Sequence, residues 1–229
     1  MILALDSSQN SGSIALKQDD KLLYSSYFDI RVTHSETLLP TLDQALKLCE
    51  ASPSDLEAVV LAIGPGSFTG LRIGLATAKG IAYGRKIPIF TFDSLRMIAY
   101  QGAGNSRQIL SLIDAKMSEL YAALYDSEMN EVLPPGLCKL SDLGSWSLLN
   151  PILLGSAAPQ AAQALREAGI PFSLPLPGQY LTPAVSLLGL LELFPRTEGY
   201  DFETLAELEP LYLRESTAQV KKRASEMQL

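Results

Sequence analysis

Gly64-Pro-Gly-Ser-Phe-Thr-Gly-Leu-Arg-Ile-Gly-Leu-Ala-Thr-Ala-Lys-Gly80 follows directly on the apolar run Ala58-Val-Val-Leu-Ala-Ile63. The length and β-branched content of that run suit a buried strand. Gly64, Pro65 and Gly66 mark a turn out of it, and Ser67 or Thr69 can offer a hydroxyl to the first free N–H groups of a helix. That helix is expected from about Gly70 to Tyr83, with Gly84 as its stop.

Within the helix Gly70, Gly74, Ala78 and Ala82 recur every fourth residue, so one ridge carries almost no side chain. An interior glycine costs roughly 0.8 to 1 kcal/mol relative to alanine, so Gly70, Gly74 and Gly80 together cost about 3 kcal/mol. Close approach by another backbone is the usual compensation. That backbone belongs either to the chain's own sheet or to a helix of a partner, with Leu71, Ile73, Leu75 and Ile81 flanking the seam. As a phosphate loop the stretch is incomplete. It lacks the Gly-Lys-Ser/Thr ending of a P-loop and the Gly-x-Gly-x-x-Gly spacing of a dinucleotide fold, which leaves only a generic anion site at the helix start.

Working outward, Met1–Asp6, Ser13–Gln18 and Lys21–Phe28 read as three strands in meander. A helix follows between Ser35 and Glu50, whose apolar face is Leu38, Leu39, Leu42, Leu46 and Cys49. Pro40 either kinks that helix or marks its start. Downstream of the central stretch come a short strand Ile87–Thr91, a helix Ser94–Gln101 and the linker-like Gly102-Ala-Gly-Asn-Ser106. Ile109–Asp114 and Ser118–Asp126 then repeat the pattern strand, acid, turn, strand that begins at Ile2, at an offset of 108 residues. A strand at Pro151–Ser156, a helix from Pro159 to Ala168 ended by Gly169, and a core helix from Val185, capped by Thr182 and Pro183, complete the outline. Residues 128–182 otherwise carry little pattern.

Bulk properties narrow the function classes. A chain of 229 residues with 47% hydrophobic and 19% charged residues can bury one substantial core or two lobes. A net charge of −7 argues against a broad nucleic-acid surface, because phosphate binding rests on clustered Lys and Arg. Cys49 and Cys138 show neither metal nor redox spacing, and no basic leader precedes the first strand, so a cytoplasmic protein is expected. The longest apolar helix candidate, Val185–Phe194, is too short to span a bilayer. With His34 as the single histidine, a His-pair metal site is excluded, and a serine triad would have to use it without a Gly-x-Ser-x-Gly elbow. The basic run Lys221-Lys-Arg223 reads as a solvated tail.

The stretch Gly64–Gly74 resembles the hallmark of the TsaB (YeaZ) family, subunits of the bacterial machinery that makes threonylcarbamoyladenosine in tRNA. Ile2-Leu-Ala-Leu-Asp-Ser-Ser8, Ile113-Asp-Ala-Lys-Met-Ser-Glu-Leu-Tyr121 and Pro210-Leu-Tyr-Leu-Arg214, with Ala218 and Lys221-Lys222, agree in order. The resemblance implies an α/β, two-lobed actin-like/sugar-kinase/Hsp70-type (ASKHA) fold with a mixed sheet in each lobe. The lobes would be residues 1–101 and 107–204, with 205–229 packing back on the first.

It further implies an accessory subunit with no catalytic residues, metal or cofactor of its own. The subunit would pair with the catalytic relative TsaD and the ATPase TsaE for threonylcarbamoyl transfer to a tRNA adenosine. It would touch tRNA only through that complex and self-associate as a homodimer when TsaD is absent. The implied partner surface is Ser35, Leu38, Leu39, Leu42 and Leu46 on one helix with Phe68, Thr69, Gly70, Leu71, Ile73, Gly74, Leu75, Thr77, Ala78 and Ile81 on the next. In the wider group an acid in each lobe holds metal-bound phosphates across the cleft. Asp6 and Asp114 occupy those positions, but Lys116 and Met117 replace the glycines expected after the second acid, so the nucleotide site reads as degenerate. The alternatives are a small-molecule kinase or ATPase of the same fold and a peptidase-related protein. TsaD uses a His-x-x-x-His pair on a helix, and the comparable stretch here, Phe92–Tyr100, has no histidine.

Overall fold

A computed structural model describes residues 1–29, 34–175, 181 and 183–214, with the backbone alone for His34 and Ser35. Strands β1 (Ile2–Asp6), β2 (Gly12–Gln18) and β3 (Lys21–Phe28) form the expected meander. After α1 (His34–Leu48), β4 (Ala58–Ala62) pairs parallel with β1. Helix α2 (Phe68–Arg85) leads to β5 (Ile89–Phe92), parallel to β4. The result is a five-stranded mixed sheet in the order β3-β2-β1-β4-β5.

The second half repeats this order. β6 (Ile109–Lys116) and β7 (Glu119–Tyr125) form a hairpin, β8 (Glu131–Lys139) continues it, and β9 (Ile152–Leu154) lies parallel to β6. Four strands run β8-β7-β6-β9, matching β3-β2-β1-β4. The echo at an offset of 108 residues is thus reproduced in the topology. β8 is an edge strand that hydrophobic pattern alone does not reveal. Pro134 and Pro135 lie within it, and proline is tolerated on an edge because no ladder donor is required there.

Helices fill the layers around the sheets. α1 and α2 cover the outer face of the first sheet, where Leu38, Leu42, Leu46, Leu75, Ala78 and Ala82 meet Leu3, Leu5, Val59 and Leu61. α3 (Ser94–Ala99) and α5 (Val185–Leu193) lie between the sheets. Their Leu95, Met97, Ile98, Leu187 and Leu190 share one cluster with Ala4 and Val60 of the first sheet and Ile109, Ala123 and Tyr125 of the second. α4 (Ala158–Glu167) and a short 3₁₀ segment, Leu140–Ser145, cover the outer face of the second sheet. α6 (Phe202–Glu207), capped by Asp201, returns to α2, where the Lys79 ammonium donates to the Ala206 carbonyl at 2.8 Å.

Some boundaries differ from expectation for identifiable reasons. α2 starts at Phe68, because Ser67 takes the cap and accepts from the Gly70 N–H at 3.2 Å. At its other end the helix passes Gly84 and stops at Lys86, which adopts the left-handed conformation. α1 retains Pro40 inside it as its seventh residue, where the ring leaves the Glu36 carbonyl without its i+4 donor. α5 begins at Val185, and Thr182 lies outside the described residues, as does the basic run at 221–223.

Candidate functional site

Two regions carry the residues singled out in the sequence: the α1–α2 face and the cleft between the sheets.

The bare ridge of α2 faces inward. Gly70, Gly74, Ala78 and Ala82 are all buried, and a Cβ on Gly74 would stand 2.2 Å from Ser7 Oγ. Ser7 in turn donates to the Gly70 carbonyl at 2.9 Å. What approaches the ridge at Gly70 and Gly74 is the side chain of Ser7, from this chain's own β1–β2 loop, and Ala78 lies in the chain's own core, so the placement of Gly70, Gly74 and Ala78 in a partner seam is corrected. Leu38, Leu42, Leu46, Leu71 and Leu75 are likewise spent on the chain's own interior. The four-residue period was right, but it is the same whichever backbone lies against it.

The remaining residues of the expected surface do reach solvent. Leu39 on α1 is 54% exposed, Phe68 on α2 is 39% exposed, and Thr69 is exposed beside it. Ile73, Thr77 and Ile81 are half-buried, and the Ser35 side chain lies outside the described residues. Gly80, read above as part of the helical cost, has no atom within 4 Å of where a Cβ would be, so it opens on the outer face. Arg72, which no pattern singled out, lies 4.0 Å over the Phe68 ring and donates to the Tyr212 hydroxyl at 3.0 Å. Tyr212 belongs to the segment Pro210–Arg214, which matched the family pattern without a role attached.

The glycine turn is the junction between the two regions. The Ser67 N–H donates to the Ser8 carbonyl at 2.6 Å, and a Cβ on Gly66 would lie 1.9 Å from that same oxygen. On the other side, the Ser94 N–H donates to the Gly64 carbonyl at 2.7 Å and the Leu211 N–H to the Ile63 carbonyl at 2.7 Å. Only a residue without a side chain fits at Gly66.

The cleft has a volume of about 560 Å³ and mixed walls: Ser8, Gln9, Asn10, Ser11, Gly66 and Ser67 from the first half, and polar Asp114, Lys116, Tyr121 and Ser156 beside apolar Ile113 and Ala115 from the second. Asp6 ends β1 fully buried and accepts the Ser8 N–H at 2.9 Å. Asp114 is held by its own neighbour, with Oδ1 accepting the Lys116 N–H at 2.8 Å and Oδ2 the Lys116 ammonium at 2.7 Å. These bonds hold its carboxyl below the usual range. Lys116, Met117 and Ser118 have φ of 66°, 57° and 62°. The turn keeps a shape suited to glycine without using one, at a cost of order 1 kcal/mol per residue.

α3 occupies the stretch compared above with a histidine-bearing helix. Asp93 caps it, accepting the Arg96 N–H at 2.7 Å, and Met97 is fully buried in the shared core. Burial pushes the Asp93 carboxyl up, against the pull of the Arg96 N–H and guanidinium. Arg96 also reaches the Met129 carbonyl and Glu131 and packs over the Tyr125 and Phe194 rings. These polar groups serve structure, tying α3 to the second sheet. No group of three or more metal-ligating side chains occurs among the described residues, and no helix among them is long and apolar enough to cross a membrane.

Comparison with known proteins bears on both regions. The family model described as TsaD, tRNA N6-adenosine threonylcarbamoyltransferase, matches residues 30–221. A tRNA threonylcarbamoyladenosine biosynthesis protein TsaB of Bacillus subtilis is 33% identical over 144 residues, covering 62% of this chain and 63% of the relative. The protein of that name from Escherichia coli is 34% identical over 135 residues, covering 57% of each. The chain thus spans less than two thirds of the length of these curated relatives. The solved structure of YeaZ from Pseudomonas aeruginosa superposes with a TM-score of 0.76 at 24% identity, over 93% of this chain and 99% of that one, and shows the same fold. With the repeated mixed sheets and a family match over most of its length, the chain belongs to the family described as TsaD, tRNA N6-adenosine threonylcarbamoyltransferase, and within it is similar to the TsaB (YeaZ) proteins.

Proposed function

We propose that the chain is a non-catalytic subunit in threonylcarbamoyladenosine synthesis on tRNA, pairing through the outer face of α1 and α2 with a TsaD-like catalytic relative and working with a TsaE-like ATPase. Similarity to proteins named TsaB supports the pathway. The observation that carries the pairing is the outer face itself. Ile73 and Thr77 are half-buried on the same side of α2 as Gly80, a mid-helix glycine whose added Cβ would meet nothing beyond its own helix, while Leu39 on α1 and Phe68 at the start of α2 are exposed. An uncompensated glycine costs helix stability, and a partner helix seated close to it offsets that cost. The same face serves a second copy of the chain when the relative is absent.

On this reading the chain brings shape, and the relative brings the transfer chemistry. In the stretch compared with the relative's histidine-bearing helix, Phe92–Tyr100, Asp93 is engaged in capping and Met97 in core packing. The alternative of a kinase or ATPase requires Asp114 to hold a phosphate-bound metal, yet its carboxylate is engaged twice by Lys116. Calorimetry with ATP and Mg²⁺ on the isolated chain separates these: tight binding favours the kinase reading.

The direct test is reconstitution from purified chain, TsaD-like protein and TsaE-like ATPase with tRNA, threonine, bicarbonate and ATP in the presence of the enzyme that makes the threonylcarbamoyl adenylate. Leaving out this chain should abolish multiple-turnover modification. Undiminished modification without it, or modification by the chain without the TsaD-like protein, would contradict the proposal.

A further inference from the structure

The tip of the β6–β7 hairpin is built against the preferences of its residues. Met117 and Ser118 form the two-residue connection between Lys116 and Glu119, and both have positive φ, as in a type I′ turn. Such turns favour Asn-Gly because both central residues are left-handed. Here Lys116 before them is left-handed as well, and none of the three is glycine or asparagine.

Two sets of contacts brace this tip. The first is local: the Lys116 N–H and ammonium hold the two oxygens of Asp114. The second comes from a distant part of the chain. Arg214 Nη1 donates to the Ala115 carbonyl at 3.1 Å and pairs with Glu119 at 3.3 Å, and Nη2 reaches Met117 Sδ at 3.2 Å. One guanidinium therefore grips both flanks of the turn. The segment that delivers it is anchored to the first half of the chain by the Leu211 N–H on the Ile63 carbonyl, just past β4, and by Tyr212 against Phe68 of α2, their ring centroids 5.1 Å apart. Ala115, Lys116 and Tyr121 line the cleft opposite Ser8–Ser11, Gly66 and Ser67.

We propose that Pro210–Arg214 is a latch: with Arg214 seated, the left-handed tip is held against the mouth of the cleft, and with Arg214 released the tip relaxes and the mouth widens. Charge-assisted bonds of this kind resist opening, while the conformational strain of three left-handed side chains favours it. An element under two opposed influences of similar size has two arrangements close in free energy. The inference stands apart from the partner reading, since it concerns contacts within this chain alone.

Hydrogen exchange of the full chain tests it. Arg214→Ala should speed exchange of the amides from 115 to 120 about tenfold, while amides of α2 between Leu71 and Ala82 keep their rates. Ser118→Gly, which removes a left-handed side chain and none of the Arg214 contacts, should slow tip exchange in the native background and restore protection to Arg214→Ala. Unchanged tip exchange in Arg214→Ala overturns the latch. So does faster tip exchange in Ser118→Gly alone, a readout that survives even if Arg214→Ala fails to fold.

Discussion

At Gly66 the carbonyl oxygen of Ser8 occupies the space a Cβ would need, at 1.9 Å, and it belongs to a backbone fixed by its bond from Ser67. Gly66→Ala is therefore expected to cost on the order of 3 kcal/mol in chemical denaturation, the scale of a forced backbone shift in a packed interior. At Gly74 the obstacle is the Ser7 hydroxyl, itself bound to the Gly70 carbonyl. Gly74→Leu should fail as a folded monomer, where a seam residue would have failed only in association. Asp114 supplies a pH signature. Its folded carboxyl lies below the ordinary value of 3.8 because Lys116 binds the charged form. A depressed acid contributes stability that is present above the unfolded pKa and is lost as pH falls through the folded one. Stability of the native chain should thus decline below about pH 4 more steeply than that of Asp114→Asn. Parallel denaturation curves between pH 5 and pH 2 would contradict the assignment.

Among the elements, the strand, turn and helix around Gly64–Gly80 were legible because each part announces itself: β-branched run, Gly-Pro-Gly, hydroxyl, then helix. The direction of the ridge was not legible. Gly70, Gly74 and Ala78 at a four-residue spacing state that something comes close, and nothing in the sequence says that it is Ser7 and the β1–β2 loop. Leu38, Leu42 and Leu46 misled for the same reason, since an apolar helix face reads alike against its own sheet or another protein. β8 escaped because two prolines interrupt its pattern, and the role of Pro210–Arg214 because that irregular segment has no periodicity and its contacts with Phe68, Arg72 and Glu119 are distant in sequence. Among the glycines of α2, Gly80 and Gly84 instead have open space where a Cβ would be, and Gly80 is the one away from the helix end. Gly80→Ala should stabilise the isolated chain by about 0.8 to 1 kcal/mol, because the added methyl meets open space. A melting temperature unchanged or lowered would show that the site is already covered within the chain.

For the whole molecule, the repeated order β3-β2-β1-β4 and β8-β7-β6-β9 explains why two short sequence echoes carried real information. The two sheets do not have wholly separate interiors, because α3 and α5 pack on both. Leu187→Ala, at a fully buried position of that shared layer, should cost roughly 2 to 5 kcal/mol and destabilise both sheets in one transition. Separate transitions for the two halves, followed by exchange or fluorescence, would deny the common core.

The central claim is that the outer face of α1 and α2 meets a different polypeptide, and Gly80→Leu addresses it most directly. The substitution starts a side chain at a Cβ position that no other part of the chain comes within 4 Å of. Mixed with a TsaD-like protein and followed by size exclusion with light scattering, the native chain should form a heterodimer, and Gly80→Leu should lose it while keeping a native melting temperature. A heterodimer of undiminished stability with Gly80→Leu would place the partner elsewhere on the molecule.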